Sequence, residues 1–128
     1  MPEALSVTLR FPARPEFLRL ARLAATDVAS RAGFDIEEIE DLRIAVSELC
    51  AMVAGGGSEM DLVFTLGDGR VEVRATGEGP AGPVEEEEFI RALIDAVVDH
   101  FEADGSDGLR TFRVVKERRR RDGGSRTG

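Results

Sequence analysis

Hydrophobic and polar positions follow two different periods in the first half of the chain. Residues 5–11 alternate between apolar and polar side chains, which is the pattern of a half-buried strand. Apolar residues then recur at helical spacing over residues 15–32, and Gly33 provides a stop. A second helix is predicted to begin at Asp35, because a capping residue followed three positions later by Glu38 is typical of a helix N-terminus.

The second half of the chain predicts a hairpin, a third helix and a last strand. Residues 62–66 and 71–75 flank a Gly-Asp-Gly turn, which is typical of a hairpin. Four glutamates, Glu85–Glu88, open a helix whose apolar face extends to Phe101. Residues 109–115 then alternate well enough to form a strand.

The order of these elements predicts an α+β fold. We expect a two-layer α/β sandwich, with about three helices packed on one face of a mixed sheet of four or slightly more strands. Residues 1–115 are expected to form a single domain. Residues 116–128 are rich in Arg, Gly and Ser and have nothing to bury, so we expect a basic, disordered tail.

Charge is distributed unevenly along the chain. The 17 basic and 25 acidic side chains give a net charge of −8. Residues 116–128 hold six of the basic and two of the acidic side chains, so residues 1–115 carry a net charge of −12. Because phosphate contacts dominate nucleic-acid affinity, this acidic surface argues against binding nucleic acid through the folded body. A basic surface on a partner protein fits it better.

Few side chains of this sequence suit metal or covalent chemistry. Cys50 and His100 are the single cysteine and histidine, and one of each cannot form a zinc site. Cys50 is expected in the core, and His100 is expected at the end of the third helix. The N-terminus lacks the pattern of a secretory leader, and no apolar run reaches the roughly 20 residues that span a membrane. We therefore expect a cytoplasmic protein without membrane contact.

Two segments of the sequence point to a known family. The first is residues 9–15, LRFPARP, and the second is residues 41–50, DLRIAVSELC. They resemble the anti-sigma regulatory kinases, small bacterial members of the ATPase and kinase superfamily that includes gyrase and the histidine kinases. The similarity extends over residues 71–79, 89–95 and 111–116, so it covers most of the predicted domain. The resemblance implies the histidine-kinase-like ATPase fold, also called the Bergerat fold.

In that family a glutamate of the second helix acts as general base, and an asparagine four residues later holds magnesium. The glutamate position is Glu48 in this sequence, and the asparagine position is Met52. This spacing places the two side chains on one helix face, but a thioether cannot replace an amide oxygen as ligand of a hard cation. We expect Glu48 to be the relic of a general base. The alternative is a polar residue paired with Arg43.

The family's first glycine box begins with an aspartate that bonds the adenine amino group and continues with two glycines. Gly77 and Gly79 match the glycines, but Ala75 stands at the aspartate position, or Thr76 if the register differs by one. A methyl group cannot accept the adenine hydrogen bond. Where the family's second glycine motif offers backbone amides to the phosphates, this chain has Glu85–Glu88, whose carboxylates repel a triphosphate.

The resemblance implies an anti-sigma-factor-like regulator that binds a sigma factor or its antagonist protein, and the departures at Met52, Ala75 and Glu85–Glu88 predict that it works without ATP, magnesium or another cofactor. The family forms dimers, so a homodimer or a heterodimer is expected. Three arginines of the first predicted helix, Arg14, Arg19 and Arg22, are the expected partner contact.

Two other hypotheses remain open at this point. One is an active serine/threonine kinase that binds Mg-ATP, uses Glu48 as base and phosphorylates an anti-sigma factor antagonist. The other is a structural subunit of a heterodimer whose second subunit keeps the nucleotide site.

Overall fold

The structure is a computed structural model that describes residues 5–53, 59–78, 84–106 and 108–119. The elements in chain order are β1 (Leu5–Pro12), a short 3-10 turn (Pro15–Phe17), α1 (Leu18–Arg31), α2 (Ile36–Val53), β2 (Glu59–Gly67), β3 (Arg70–Glu78), α3 (Val84–Val97), β4 (His100–Ser106) and β5 (Leu109–Glu117). The predicted α+β class with three helices is confirmed.

Within the described residues, the strands form a single sheet in the order β1-β2-β3-β5-β4. Each neighbouring pair is antiparallel, so the sheet is not mixed, and it has five strands. The predicted hairpin is present as β2 and β3, with Gly69 at its turn in the left-handed region at a φ of 72°. Glycine is favoured there because it has no Cβ to clash with the backbone.

The helices cover one face of the sheet. Alternate residues of β2 and β3 are buried on that face, whereas the residues between them are half-buried or exposed on the open face. Helix α2 contacts α1, α3 and β3, so it forms the middle of the helix layer. The largest fully buried hydrophobic side chains come from both layers: Phe64, Phe112, Leu42, Leu49, Met60, Leu62 and Ile94.

Helix α2 begins at the predicted capping box. The Glu38 backbone N–H donates to Asp35 Oδ1 at 2.8 Å, and the Asp35 backbone N–H donates to Glu38 Oε1 at 2.8 Å. These two bonds satisfy donors that a helix N-terminus otherwise leaves unpaired. Glu38 is fully buried, which the sequence pattern did not predict.

Two predicted boundaries are wrong in the second half of the chain. The third helix ends at Val97, and His100 is the exposed first residue of β4 instead of a helix C-terminal cation. Phe101 lies in β4, where its ring stacks on Phe112 with a centroid distance of 6.2 Å. The apolar face of the predicted helix extends to Phe101 because the spacing from Val97 to Phe101 fits a helix as well as a strand.

The last strand also extends past its predicted end at residue 115. Lys116 lies in β5, and its Nζ donates to Val97 O at 2.9 Å and lies 3.2 Å from Asp41 Oδ2. Lys116 therefore joins β5 to the end of α3 and to α2. Residues 120–128 of the predicted tail lie outside the described part of the chain.

Matched truncations test the two-layer core. Ile94 is fully buried in α3, whereas Ile36 at the start of α2 is 84% exposed. We expect Ile94→Ala to lower the free energy of unfolding by about 2–5 kcal/mol, because it removes buried methyl groups and leaves a cavity. Ile36→Ala should change it by no more than about 0.5 kcal/mol. Urea unfolding followed by circular dichroism measures both, and equal losses would contradict this assignment of the core.

Candidate functional site

Glu48 and Met52, which stand at the family's glutamate and asparagine positions, both lie on α2. Glu48 is half-buried and Met52 is buried, one helical turn further along the same face. The Glu48 carboxylate has no hydrogen bond or ion pair with any residue that the structure describes. The alternative partner, Arg43, donates to Glu40 instead, with Nε 3.2 Å from Glu40 Oε1. The alternative pairing of Glu48 with Arg43 is therefore not formed.

The glycine box lies on β3, beneath the end of α2. Ala75 is fully buried on the helix-facing side, opposite Phe112 of β5. Thr76 lies on the other face of the sheet, where its hydroxyl is 3.3 Å from that of Thr111. Since strand side chains alternate between faces, Ala75 is the residue whose side chain faces the helix layer.

Gly77 has a packing role in this arrangement. A Cβ added to Gly77 would lie 3.2 Å from Val53 Cβ and 3.4 Å from Met60 Cβ, closer than ordinary van der Waals contact. The absence of a side chain lets the end of α2 approach β3. Gly79, the second glycine of the box, lies outside the described residues.

The acidic run at the start of α3 is partly neutralised. Arg110 of β5 donates to Glu87 Oε1 at 2.8 Å, and Arg91 lies 3.7 Å from the same oxygen. Glu86 and Glu88 are exposed. The beginning of α3 therefore presents carboxylates where a helix N-terminus suits an anion.

The residues at these positions do not fit the magnesium and adenine that the resemblance implies. Met52 offers a buried thioether, and Ala75 offers a buried methyl group, so neither supplies an oxygen ligand or a hydrogen-bond acceptor. In the described ranges, no group of three or more His, Cys, Asp and Glu side chains is arranged to hold a metal ion. Of the groups expected to act on a nucleotide, Glu48 is the one that retains a suitable functional group.

The three arginines proposed for partner contact have different surroundings. Arg14 is exposed and lies 2.9 Å from Glu16. Arg22 is half-buried in the seam between α1 and α2, where its Nε donates to Ser47 Oγ at 2.9 Å. Arg19 is exposed, and its side chain pairs with no residue in the described ranges. Arg19 is therefore the exposed cation of the three that has no partner among the described residues.

Cys50 lies in the core, as predicted. Burial raises the pKa of its thiol to about 12, and the nearby positive charge of Arg22 opposes this shift. Because the thiolate is the nucleophilic form, Cys50 is chemically inert in the folded protein.

Sequence reasoning missed the contacts that connect distant parts of the chain to this region. Arg22 donates to Ser47, and Arg110 donates to Glu87, and the partners in these two pairs lie 25 and 23 positions apart along the chain. The signal that was available is charge: the acidic run Glu85–Glu88 requires cations from elsewhere. Position along the sequence gave no indication of which cations they would be.

The fold and this arrangement define a class of protein. The family model described as the histidine kinase-like ATPase domain matches residues 11–116. The chain therefore belongs to the histidine kinase-like ATPase domain family, and its fold is the one that the resemblance implied.

Particular relatives narrow the similarity. The serine-protein kinase RsbW of Listeria monocytogenes serotype 4a is 38% identical over 85 residues, which cover 62% of this chain and 54% of the relative. RsbW of Bacillus subtilis is 38% identical over 79 residues, covering 57% of this chain and 49% of the relative. The chain thus spans about half the length of the curated relatives that it matches.

A solved structure supports the same fold. The crystal structure of the RsbU and RsbW domains of Rv1364c from Mycobacterium tuberculosis superposes with a TM-score of 0.69 at 18% sequence identity. The match covers 88% of this chain and 32% of that one. Among the helices of the described residues, none combines the length and the apolar character needed to cross a bilayer.

Proposed function

We propose that this protein is an anti-sigma-factor-like regulatory domain that binds a sigma factor or an antagonist protein without using bound ATP. It would act in the cytoplasm, in agreement with its single cysteine and its composition. Relatives named serine-protein kinases support the choice of regulatory family.

One observation supports the proposed loss of nucleotide binding. The positions expected to hold magnesium and the adenine amino group are occupied by Met52 and Ala75, both buried and apolar. A site that is built around a hydrogen bond loses discrimination when its partner group is missing. The exposed carboxylates of Glu86 and Glu88 add repulsion toward a triphosphate at the start of α3.

The main alternative is a working serine/threonine kinase. Two observations favour it: Glu48 retains the carboxylate of a general base, and the curated relatives carry the name serine-protein kinase. A structural subunit, completed by a second chain with its own nucleotide site, is the third hypothesis. Only the kinase hypothesis predicts that this chain binds ATP.

Isothermal titration calorimetry with Mg-ATP separates the kinase from the other two hypotheses. We expect no measurable heat of binding up to millimolar nucleotide, because the adenine acceptor and the oxygen ligand are absent. The Listeria serine-protein kinase serves as positive control under the same conditions. Micromolar affinity, or transfer of labelled phosphate to an antagonist protein that Glu48→Ala abolishes, would establish the kinase instead.

Helix α1 provides the partner surface in this proposal. Residues 1–115 carry a net charge of −12, so exposed arginines on this body are outnumbered by acidic side chains. Arg19 is exposed without a partner among the described residues, and Arg14 precedes the same helix. Exposed cations of this kind steer and orient an acidic segment of a binding partner.

Charge reversal on α1 tests this surface. We expect Arg19→Glu to weaken capture of a purified sigma factor from the protein's own organism by about 10-fold, the effect of losing a charged contact of about 1.4 kcal/mol. Arg31→Glu is the matched control, because Arg31 is an exposed arginine at the other end of α1. Pull-down at low salt measures both variants. Equal capture by wild type and Arg19→Glu would remove α1 as the contact.

A homodimer is the assembly that we propose. β1 lies at an edge of the sheet, and Leu5 and Val7 remain exposed there on the helix-facing side. On α1, Leu20 and Leu23 are also exposed, Leu23 by 62%. An unpaired edge strand with apolar neighbours is a template for association. Arg10 is the one charged residue of β1, and it is already paired with Asp61 at 2.7 Å. Two acidic copies can therefore meet at this edge with little repulsion.

Light scattering coupled to size exclusion tests the dimer. Wild type should have twice the chain mass of 13.9 kDa, and Leu23→Asp should shift it toward the monomer by placing a charge in the apolar contact. Phe89→Asp is the control, since Phe89 is a large exposed hydrophobic residue on α3. A monomeric wild type, or a Leu23→Asp variant that remains dimeric, would contradict this surface.

A further inference from the structure

The chain crosses the base of the helix layer after β5 ends. The Arg118 backbone N–H donates to Gly69 O at 2.7 Å, and the Gly69 N–H donates to Ala32 O at 2.8 Å. Two main-chain bonds therefore join the segment that follows β5 to the β2–β3 turn, and that turn to the end of α1. We call residues 118 and 119 the C-terminal strap. The match to the family model ends before it, at residue 116.

The Arg118 side chain lies over two glycines. A Cβ added at Gly33 would come within 2.8 Å of Arg118 Nη1, and one added at Gly69 would lie 3.2 Å from Arg118 Cζ. Both glycines have positive φ angles, 86° and 72°. The guanidinium thus occupies space that only glycines leave open, and its Nη1 lies 3.5 Å from Asp68.

Arg119 contacts the first turn of α2. Its backbone N–H donates to Glu38 Oε2, and its guanidinium donates to Glu37 at 2.7 Å and to Asp35 at 3.2 Å. These bonds, first to Glu37 and then to Asp35, raise the pKa of the Arg119 guanidinium. Every acidic residue of the first turn is therefore in contact with the strap.

The contact between the strap and α2 differs from a surface ion pair because it includes the buried Glu38. Its carboxylate is fully buried, with one oxygen accepting from Asp35 in the capping box and the other from the Arg119 backbone. An exposed ion pair contributes at most about 1 kcal/mol, whereas a buried carboxylate that loses a donor is strongly disfavoured. The start of α2 therefore depends on the strap for its hydrogen bonding.

The charges of the two segments are complementary along the sequence. Residues 35–41, DIEEIED, include five acidic side chains and no basic one. Residues 118–121 are four consecutive arginines. Like charges within the acidic segment repel one another, so a cationic segment across it relieves that repulsion.

We propose that the acidic start of α2, together with the β2–β3 turn, is a docking site for an extended pair of arginines, filled by the protein's own residues 118 and 119. Docking acts as a salt-sensitive latch that fixes the capping box of α2 and the junction between α1 and α2. This inference does not depend on whether the protein binds ATP or a sigma factor.

Residue-resolved amide hydrogen exchange on the full chain tests the latch. The reporters are the N–H groups of Glu38 and Ile39, which bond to Asp35, and of Gly69, which bonds to Ala32. At low salt, Arg119→Glu should accelerate their exchange about 10-fold, the size expected for losing a charged hydrogen bond. High salt should reduce the difference in exchange rate between wild type and Arg119→Glu, because the ionic contacts are exposed and screened.

Two further variants decide between a latch and a general loss of stability. Glu37→Arg combined with Arg119→Glu restores opposite charges at the Glu37 contact and should return the exchange rates part of the way to those of wild type. Arg74→Glu makes the same change in charge at an arginine paired with Glu72 on the open face, and should leave the three reporters unchanged. Unaltered exchange in Arg119→Glu, equal acceleration in Arg74→Glu, or failure of the charge swap would each overturn the proposal.

Discussion

The close approach of α2 to the central strand β3 is the contact on which the rest of the structure depends. Helix α2 forms the middle of the helix layer, and α1 and α3 pack on its two sides. It reaches the sheet because Ala75 and Gly77 present a methyl group and no side chain beneath it. Larger residues at these positions would force the helix away from the sheet, and close-packed interiors accommodate such shifts poorly.

The same contact shapes the functional interpretation. Small and apolar residues that let α2 lie on β3 stand where the family places groups that grip a nucleotide. Met52 completes this apolar end of the helix, while Glu48 keeps its carboxylate one turn away. In the proposed function a partner contacts the surface, which combines an acidic body, the exposed Arg19 on α1 and an apolar edge at β1.

Local signals predicted the elements well and long-range contacts poorly. The capping box of Asp35 and Glu38 and the turn at Gly69 are encoded within a few residues, so both were found in the predicted places. β4 was missed because the spacing from Val97 to Phe101 satisfies a helix, and only pairing with β5 makes it a strand. For the candidate site, the residue types at Met52 and Ala75 could be read from the sequence. The bond between Arg119 and Glu38 could not, because it joins residues 81 positions apart.

The central claim of the proposed function is that no nucleotide binds at Met52 and Ala75, whose buried apolar side chains stand where the family has an oxygen ligand and a hydrogen-bond acceptor. Methyl NMR of the labelled protein, titrated with Mg-ATP, observes these two side chains directly. We expect the Met52 ε-methyl and Ala75 β-methyl signals to stay in place up to millimolar nucleotide. Saturable shifts of both methyl signals at micromolar nucleotide would contradict the account.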